Sequence, residues 1–186
     1  MQERLGFLTV PVRETDPACA FSCGEPELDE FLAKRALPNA QRGFGNTFVL
    51  PRTPEDDPAL PDVLGYYTLA SAQIDRTIFA KVIPHRQRHG LPKYPLPAAL
   101  IGRLGVDTRA QRRGLGDLLI GDACRRAVMM AEHGGGVGIL VDAKGAVAES
   151  FYNKHGFVTL DSAAAYPRRM FLPMSTARSA STSPVE

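Results

Sequence analysis

Only three cysteines occur in this chain of 186 residues, Cys19, Cys23 and Cys124, and an odd number gives no disulfide framework. Cys19 and Cys23 stand four apart, as do His85 and His89. The two pairs lie far from one another and lack the compact spacing of a zinc site, so they read as small thiols and loop histidines, with no metal expected. No apolar run reaches the length of a membrane span. Nor does one sign of charge dominate: the formal net charge is +2, too small to announce nucleic acid by itself. No internal repeat and no second domain can be read. Met1-Gln2-Glu3-Arg4 leads into Leu5–Val10 and then Pro11, a first strand stopped by proline and not a secretory leader. The cytoplasm is therefore the expected location.

What is present alternates strand-like with helix-like segments. Ser22-Cys23-Gly24-Glu25 has the pattern of a capping box ahead of Pro26, and Leu28, Phe31, Leu32 and Ala36 follow at helical spacing until Pro38. Thr47–Leu50 and Val63–Ile74 read as strands around a proline-rich, acidic turn over Pro51–Pro61. Prolines 84, 92, 95 and 97 exclude a continuous helix over Lys81–Pro97. Ala98–Val106 is a further strand. Leu115, Leu118, Leu119, Ala123, Ala127 and Met130 form a helical apolar stripe that Gly134-Gly135-Gly136 stops. Val137–Val141 (strand), Ala146–His155 (helix), Phe157–Leu160 and Arg168–Met174 (strands) complete an α/β domain over residues 1–174. Residues 175–186, rich in Ser, Thr and Ala, read as a mobile tail.

The most informative stretch is Gln111-Arg112-Arg113-Gly114-Leu115-Gly116, set between the strand at 98–106 and the long helix. A strand that turns through glycines into a helix presents free backbone N–H groups at the helix's positive end, a geometry that binds phosphate. A Cβ at Gly114 or Gly116 would hold the ligand's oxygens away from the backbone. Asp117 follows Gly116 where a triphosphate loop needs lysine, and Leu119 stands where the dinucleotide fingerprint needs its third glycine. The remaining pattern, Q-x-x-G-x-G, resembles the pyrophosphate loop of GNAT acyltransferases.

Further blocks resemble, within that superfamily, the GNAT toxins of type II toxin–antitoxin modules: Phe21–Asp29, Leu64–Leu69, Leu91–Pro97, Gly102–Asp107, Phe151–Phe157 and Met170–Met174. The resemblance implies a GNAT fold, a central twisted mixed β-sheet flanked by α-helices and opened around its central strand. It implies an acetyl-CoA-dependent N-acetyltransferase, with acetyl-CoA as co-substrate and no metal, that acetylates the α-amino group of aminoacyl-tRNA and stops translation. A ribbon-helix-helix antitoxin and a homodimer are the implied protein partners. By the same resemblance Leu104 and Val106 offer backbone groups to pantetheine and the acetyl carbonyl, and Gln111, Arg112, Arg113, Gly114, Leu115 and Gly116 hold the pyrophosphate. Phe151 lines the CoA channel and Tyr152 is the general acid. Gly105 stands where alanine is common, and Asn46 where relatives often carry an arginine that contacts RNA. An acetyltransferase for a small amine or a protein N-terminus is the alternative activity. A non-catalytic CoA-binding or interaction module is the alternative of another class.

Elementary chemistry accords with an α-amine substrate. A tyrosine hydroxyl, with a reference pKa of about 10, stays protonated at neutral pH and can donate to a leaving thiolate. An α-amine titrates near ~8 and needs little help to become a nucleophile, whereas a lysine amine near ~10 needs a base. Glu149 and His155 are the candidate bases, and neither stands out. From Arg76 to Lys93 there is no acidic residue. Lys81, Arg86, Arg88 and Lys93 are the expected docking charges for tRNA phosphates, with Arg168 and Arg169 as further candidates.

Overall fold

The computed structural model describes residues 7–14 and 20–182. The described strands are β1 (Val10–Pro11), β2 (Asn46–Pro51), β3 (Val63–Ile74), β4 (Leu96–Val106), β5 (Gly138–Ala143), β6 (Val158–Thr159) and β7 (Arg168–Pro173). The helices are α1 (Pro26–Lys34), α2 (Ala36–Gln41), α3 (Arg76–Val82), α4 (Leu115–Gly134), α5 (Ala146–Lys154) and α6 (Met174–Thr182). The strands form one mixed sheet in the order β1-β2-β3-β4-β5-β7-β6. β4 and β5 run parallel, paired from Ala99↔Ile139 to Ile101↔Val141. The β1–β2, β2–β3, β5–β7 and β6–β7 pairs are antiparallel. A mixed sheet with flanking helices is the expected fold class.

Contacts gather the chain into two compact units, one of Met1–Ala70 with Gly102–Ala123 and the other of Ser71–Ile101 with Cys124–Glu186. In the first, Phe21, Phe31, Leu32, Ala36, Val49, Val63 and Tyr66 make a buried cluster beneath α1 and α2. Aromatic packing orders it: Phe21 meets the Tyr66 ring edge-on at 5.5 Å and Phe31 stacks at 6.4 Å. The Tyr66 hydroxyl is satisfied by the Leu28 carbonyl at 2.9 Å. A buried polar knot lies nearby, where the Asp122 carboxylate accepts the hydroxyls of Tyr67 (2.7 Å) and Thr9 (2.5 Å) and the Leu8 N–H (3.2 Å). In the second unit Ile74, Phe79, Ile83, Leu96, Ala98, Leu140 and Phe171 form the core. Gly138 is required there, since a Cβ would fall 2.3 Å from the Phe171 ring.

Four local expectations are corrected. The first strand is only Val10–Pro11, and Leu5 and Gly6 lie outside the described residues. The capping box does not form: Glu25 occupies the N-cap of α1 without a side-chain bond, and Asp29 instead accepts the Ser22 hydroxyl at 3.0 Å and the Cys23 N–H at 2.8 Å. Pro38 does not end the helical region, because the chain breaks at Arg35 and restarts as α2, placing Pro38 in a first turn where no N–H is needed. The stripe on α4 is turned: Leu118 and Met130 are exposed, whereas Ile120, Cys124, Val128 and Ala131 join Leu119, Ala123 and Ala127 inside.

From Met174 to Thr182, where the composition suggests a tail, the chain forms the helix α6. Met174 and Ala177 are buried and hold α6, a packing contribution that its Ser/Thr-rich composition hides. Residues 183–186 lie outside the described part.

Candidate active site

The phosphate loop begins with an anchored carboxylate at the end of β4. Asp107 is fully buried and accepts the Ser22 N–H (2.9 Å), the Arg109 N–H (2.9 Å) and two guanidinium bonds from Arg109 (2.9 and 3.0 Å). Burial is the largest influence on this carboxyl and works upward. The Arg109 guanidinium and the two N–H groups outweigh it, so Asp107 titrates below the usual carboxylate range. Arg109 also donates to the Ala20 carbonyl at 2.6 Å. Neither residue was singled out from the sequence as part of the site. The signal that could have found them is the D-x-R spacing at the end of β4, ahead of Gln111 and the glycines, which lets one arginine fold back on its own strand end.

Gln111 then crosses the base of the loop. Its amide nitrogen donates to the carbonyls of Cys23 (3.1 Å) and Val106 (3.0 Å). This side chain therefore fixes loop shape. Arg112 adopts a left-handed φ of 62°, which costs a non-glycine residue about 1–2 kcal/mol, and Gly114 follows with φ 78°. No atom lies within 4 Å of the position a Gly114 Cβ would take, so the space before this backbone is open. Gln111, Arg112, Arg113 and Gly114 are exposed, and Leu115 and Gly116 half-buried, at the start of the 20-residue α4. Such an arrangement, a positive helix end with two arginines before open space, fits a pyrophosphate. Leu104 and Val106, the expected contacts for pantetheine, are half-buried on β4 in the same unit.

In the second unit α5 carries Phe151 and Tyr152. Gly156, with φ 84°, ends the helix region, and the Phe157 N–H returns to the Tyr152 carbonyl at 3.1 Å. Tyr152 is 8% exposed and packs against Phe157 (5.5 Å between centroids) and Phe151 (5.3 Å). Phe151 also meets the His155 ring at 4.9 Å. Burial first, and the Asp142 carboxylate second, push the Tyr152 hydroxyl up to about 12. It is therefore a proton donor at any physiological pH.

Glu149 proves to be a poor base. It accepts hydrogen bonds from Tyr166 (2.6 Å) and Thr159 (2.7 Å) and pairs with Arg168 (3.2 Å). Tyr166 and Thr159 are the chief causes that hold it below the usual carboxylate range.

Lys81, Arg86, Arg88 and Lys93 are all exposed on the excursion between β3 and β4, Lys81 on α3 and the others on the turns after it. Arg88 donates to the Ile83 carbonyl at 3.4 Å. Arg168 and Arg169 are committed elsewhere, Arg168 to Glu149 and Arg169 to Asp142 through two bonds of 2.8 Å. Cys19 lies outside the described residues, so the Cys/His grouping is not described as a whole. Among the described residues no helix is long and apolar enough to cross a membrane.

Residues 81–177 match the model of the acetyltransferase (GNAT) domain family. A tRNA-acetylating toxin of Mycobacterium tuberculosis is 38% identical over 141 residues, 76% of this chain and 78% of that protein. The probable toxin TacT of Sinorhizobium fredii is 32% identical over 168 residues, 86% of each chain. Among solved structures, AtaT complexed with acetyl-methionyl-tRNAfMet aligns with a TM-score of 0.78 at 25% identity, covering 91% of this chain and 96% of that one. AtaTR bound with AcCoA aligns with a TM-score of 0.74 at 26% identity, covering 91% and 95%. Sheet, loop and relatives together define an α/β acetyltransferase. The chain belongs to the GNAT family.

Proposed function

We propose that this chain is a toxin that transfers the acetyl group of acetyl-CoA to the α-amine of an aminoacyl-tRNA, blocking translation. The observation that carries the reading is the kinship with the tRNA-acetylating toxin of M. tuberculosis over three quarters of the chain. Acetyl-CoA supplies an activated acyl group as a thioester. In this reading the loop from Gln111 to Gly116 binds the pyrophosphate, the backbone at Leu104 and Val106 orients the pantetheine end, and Phe151 lines the channel. Tyr152 holds its proton, by burial, for delivery to the departing sulfur. The depressed Glu149 supports an amine that arrives already neutral, as an α-amine near ~8 does. Lys81, Arg86, Arg88 and Lys93 supply sequence-independent attraction for tRNA phosphates. The protein works in the cytoplasm as a homodimer, and a ribbon-helix-helix antitoxin neutralises it.

The test is cell-free translation with purified protein, with and without acetyl-CoA, followed by analysis of the aminoacyl-tRNA pool. Arrest that requires acetyl-CoA, with N-acetyl-aminoacyl-tRNA accumulating, is the expected result. Unmodified tRNA in the presence of protein that binds acetyl-CoA would overturn the reading in favour of a small-amine or protein substrate.

A further inference from the structure

Arg103 is a half-buried cation that no carboxylate answers among the described residues. Its guanidinium lies 3.8 Å from the centroid of the Phe31 ring. Among the described residues no carboxylate forms an ion pair with it and no side-chain or carbonyl acceptor takes its N–H groups. The chemistry around it explains why. Tyr66, close enough for Arg103 to influence its ionisation, has turned its hydroxyl to the Leu28 carbonyl. Asp29 on α1 has committed one oxygen to the Ser22 hydroxyl and the other to the Cys23 N–H. Both groups direct these bonds away from the arginine. A partly desolvated guanidinium without an anion is costly, and stacking on one ring recovers only about 0.5–2 kcal/mol. A ring contact of this kind takes up none of the guanidinium's N–H donors, whose planar fork matches phosphate.

Position on the strand adds the second argument. Arg103 and Gly105 share a face of β4, because side chains alternate along a strand. A Cβ at Gly105 would meet Cys23 Sγ at 3.3 Å and Phe21 Cζ at 3.6 Å, which identifies that face as the one beneath the segment leading into α1. Leu104, the neighbour in sequence, carries one of the backbone positions proposed for the acetyl end of the cofactor. The guanidinium therefore belongs to the strand residue next to the proposed reacting centre, and the Phe31 ring holds its head group.

We infer that Arg103 binds the phosphodiester immediately preceding the aminoacyl-bearing nucleotide, and so positions the acceptor end with its amine at the acetyl thioester. This rests on the aminoacyl-tRNA reading given above. A single fork-to-phosphate contact removes about one counterion, so it contributes about 0.7 to the slope of log K against log salt on a single-stranded end.

The experiment compares wild type, Arg103→Gln and Arg103→Lys on total tRNA charged with amino acids, at 50–400 mM KCl, together with acetyl-CoA affinity by calorimetry. For Arg103→Gln the expected result is a rise of about ten- to hundredfold in KM for charged tRNA, with a salt slope shallower by roughly 0.7 and acetyl-CoA affinity within about twofold. Arg103→Lys keeps the charge without the fork and should fall between the two while retaining the wild-type salt slope. An unchanged KM and slope in Arg103→Gln would overturn the inference, as would an equal loss of acetyl-CoA affinity, which marks a structural role for the ring contact. Wild-type protein that leaves charged tRNA unmodified would instead sink the aminoacyl-tRNA reading itself.

Discussion

The Tyr166 hydroxyl donates to the Glu149 carboxylate at 2.6 Å, and Glu149 lies one turn before Tyr152 on α5. Through Thr159 and Arg168 the same carboxylate ties that helix to the strands beyond it. Glu149 is thus a clamp on the helix that carries the proposed acid. Its carboxyl is depressed on folding, so its contribution to stability is full above the unfolded pKa, about 4.3, and is lost as pH falls through the folded value. Thermal melts of Glu149→Gln should lack part of the acid-side decline that wild type shows below about pH 4.5. Its turnover should fall by less than about tenfold, and a loss as deep as that of a Tyr152 variant would place Glu149 in the proton transfer itself.

Tyr152→Phe removes the hydroxyl and keeps the packing against Phe151 and Phe157. Turnover should drop by about a hundredfold or more with acetyl-CoA affinity nearly constant. Near-normal turnover would remove Tyr152 from the mechanism.

Activity against pH reports the nucleophile. With a proton donor raised to about 12 and no carboxylate poised as base, kcat/KM should rise through the amine's own pKa near ~8 and then stay level to about pH 10. A second limb near pH 5–6 would point to a protein base.

Alkaline stability should decline early. Burial is the leading cause that raises Cys23 to about 11 and both Cys124 and Tyr152 to about 12. Groups raised on folding stabilise fully below their unfolded pKa values, about 8.5 for cysteine and 10 for tyrosine, and that stability is lost as pH climbs toward the folded values. The melting temperature should therefore fall steadily from about pH 9 to 11. A flat profile there would mean these groups ionise in the folded state as readily as in the unfolded one.

Loop and surface variants should separate cofactor from RNA effects. Gln111→Ala frees the Cys23 and Val106 carbonyls and should weaken acetyl-CoA binding by about tenfold, while Gly114→Ala, at φ 78°, adds about 1 kcal/mol of backbone strain. Reversing Lys81 and Arg86 to glutamate should leave acetyl-CoA binding intact and flatten the salt dependence of tRNA acetylation. Unaltered acetylation in the double reversal would exclude the segment from docking.

The sequence made the frame legible wherever one periodicity governed. Val63–Ile74 is a strand with the expected bounds because Val63, Tyr66, Tyr67, Thr68 and Ile74 favour extended backbone and no proline interrupts the run. The glycine loop and the Phe151-Tyr152 pair were also readable, being local signals. What escaped was tertiary. Leu118 and Met130 look like core by composition, yet the face of α4 is chosen by its neighbours and buries Ile120 and Val128 instead. The anchoring by Asp107, Arg109 and Gln111 was hidden because its partners, Ala20, Ser22 and Cys23, lie far away in the chain. Arg168 and Arg169 looked like free surface charge until their partners Glu149 and Asp142 came into view.

That distant anchoring has a consequence for biogenesis. Gln111 reaches a carbonyl 88 residues earlier, and Asp107 an N–H 85 residues earlier, so the loop's shape is a product of long-range closure. A nascent chain that has released only its first half holds the glycines of neither the loop nor α4, and residues 20–23 wait without their counterpart. The cradle can close only after the segment from β4 to the start of α4 has been made and folds back. A truncated translation product, however well its N-terminal strands pair, is born inert.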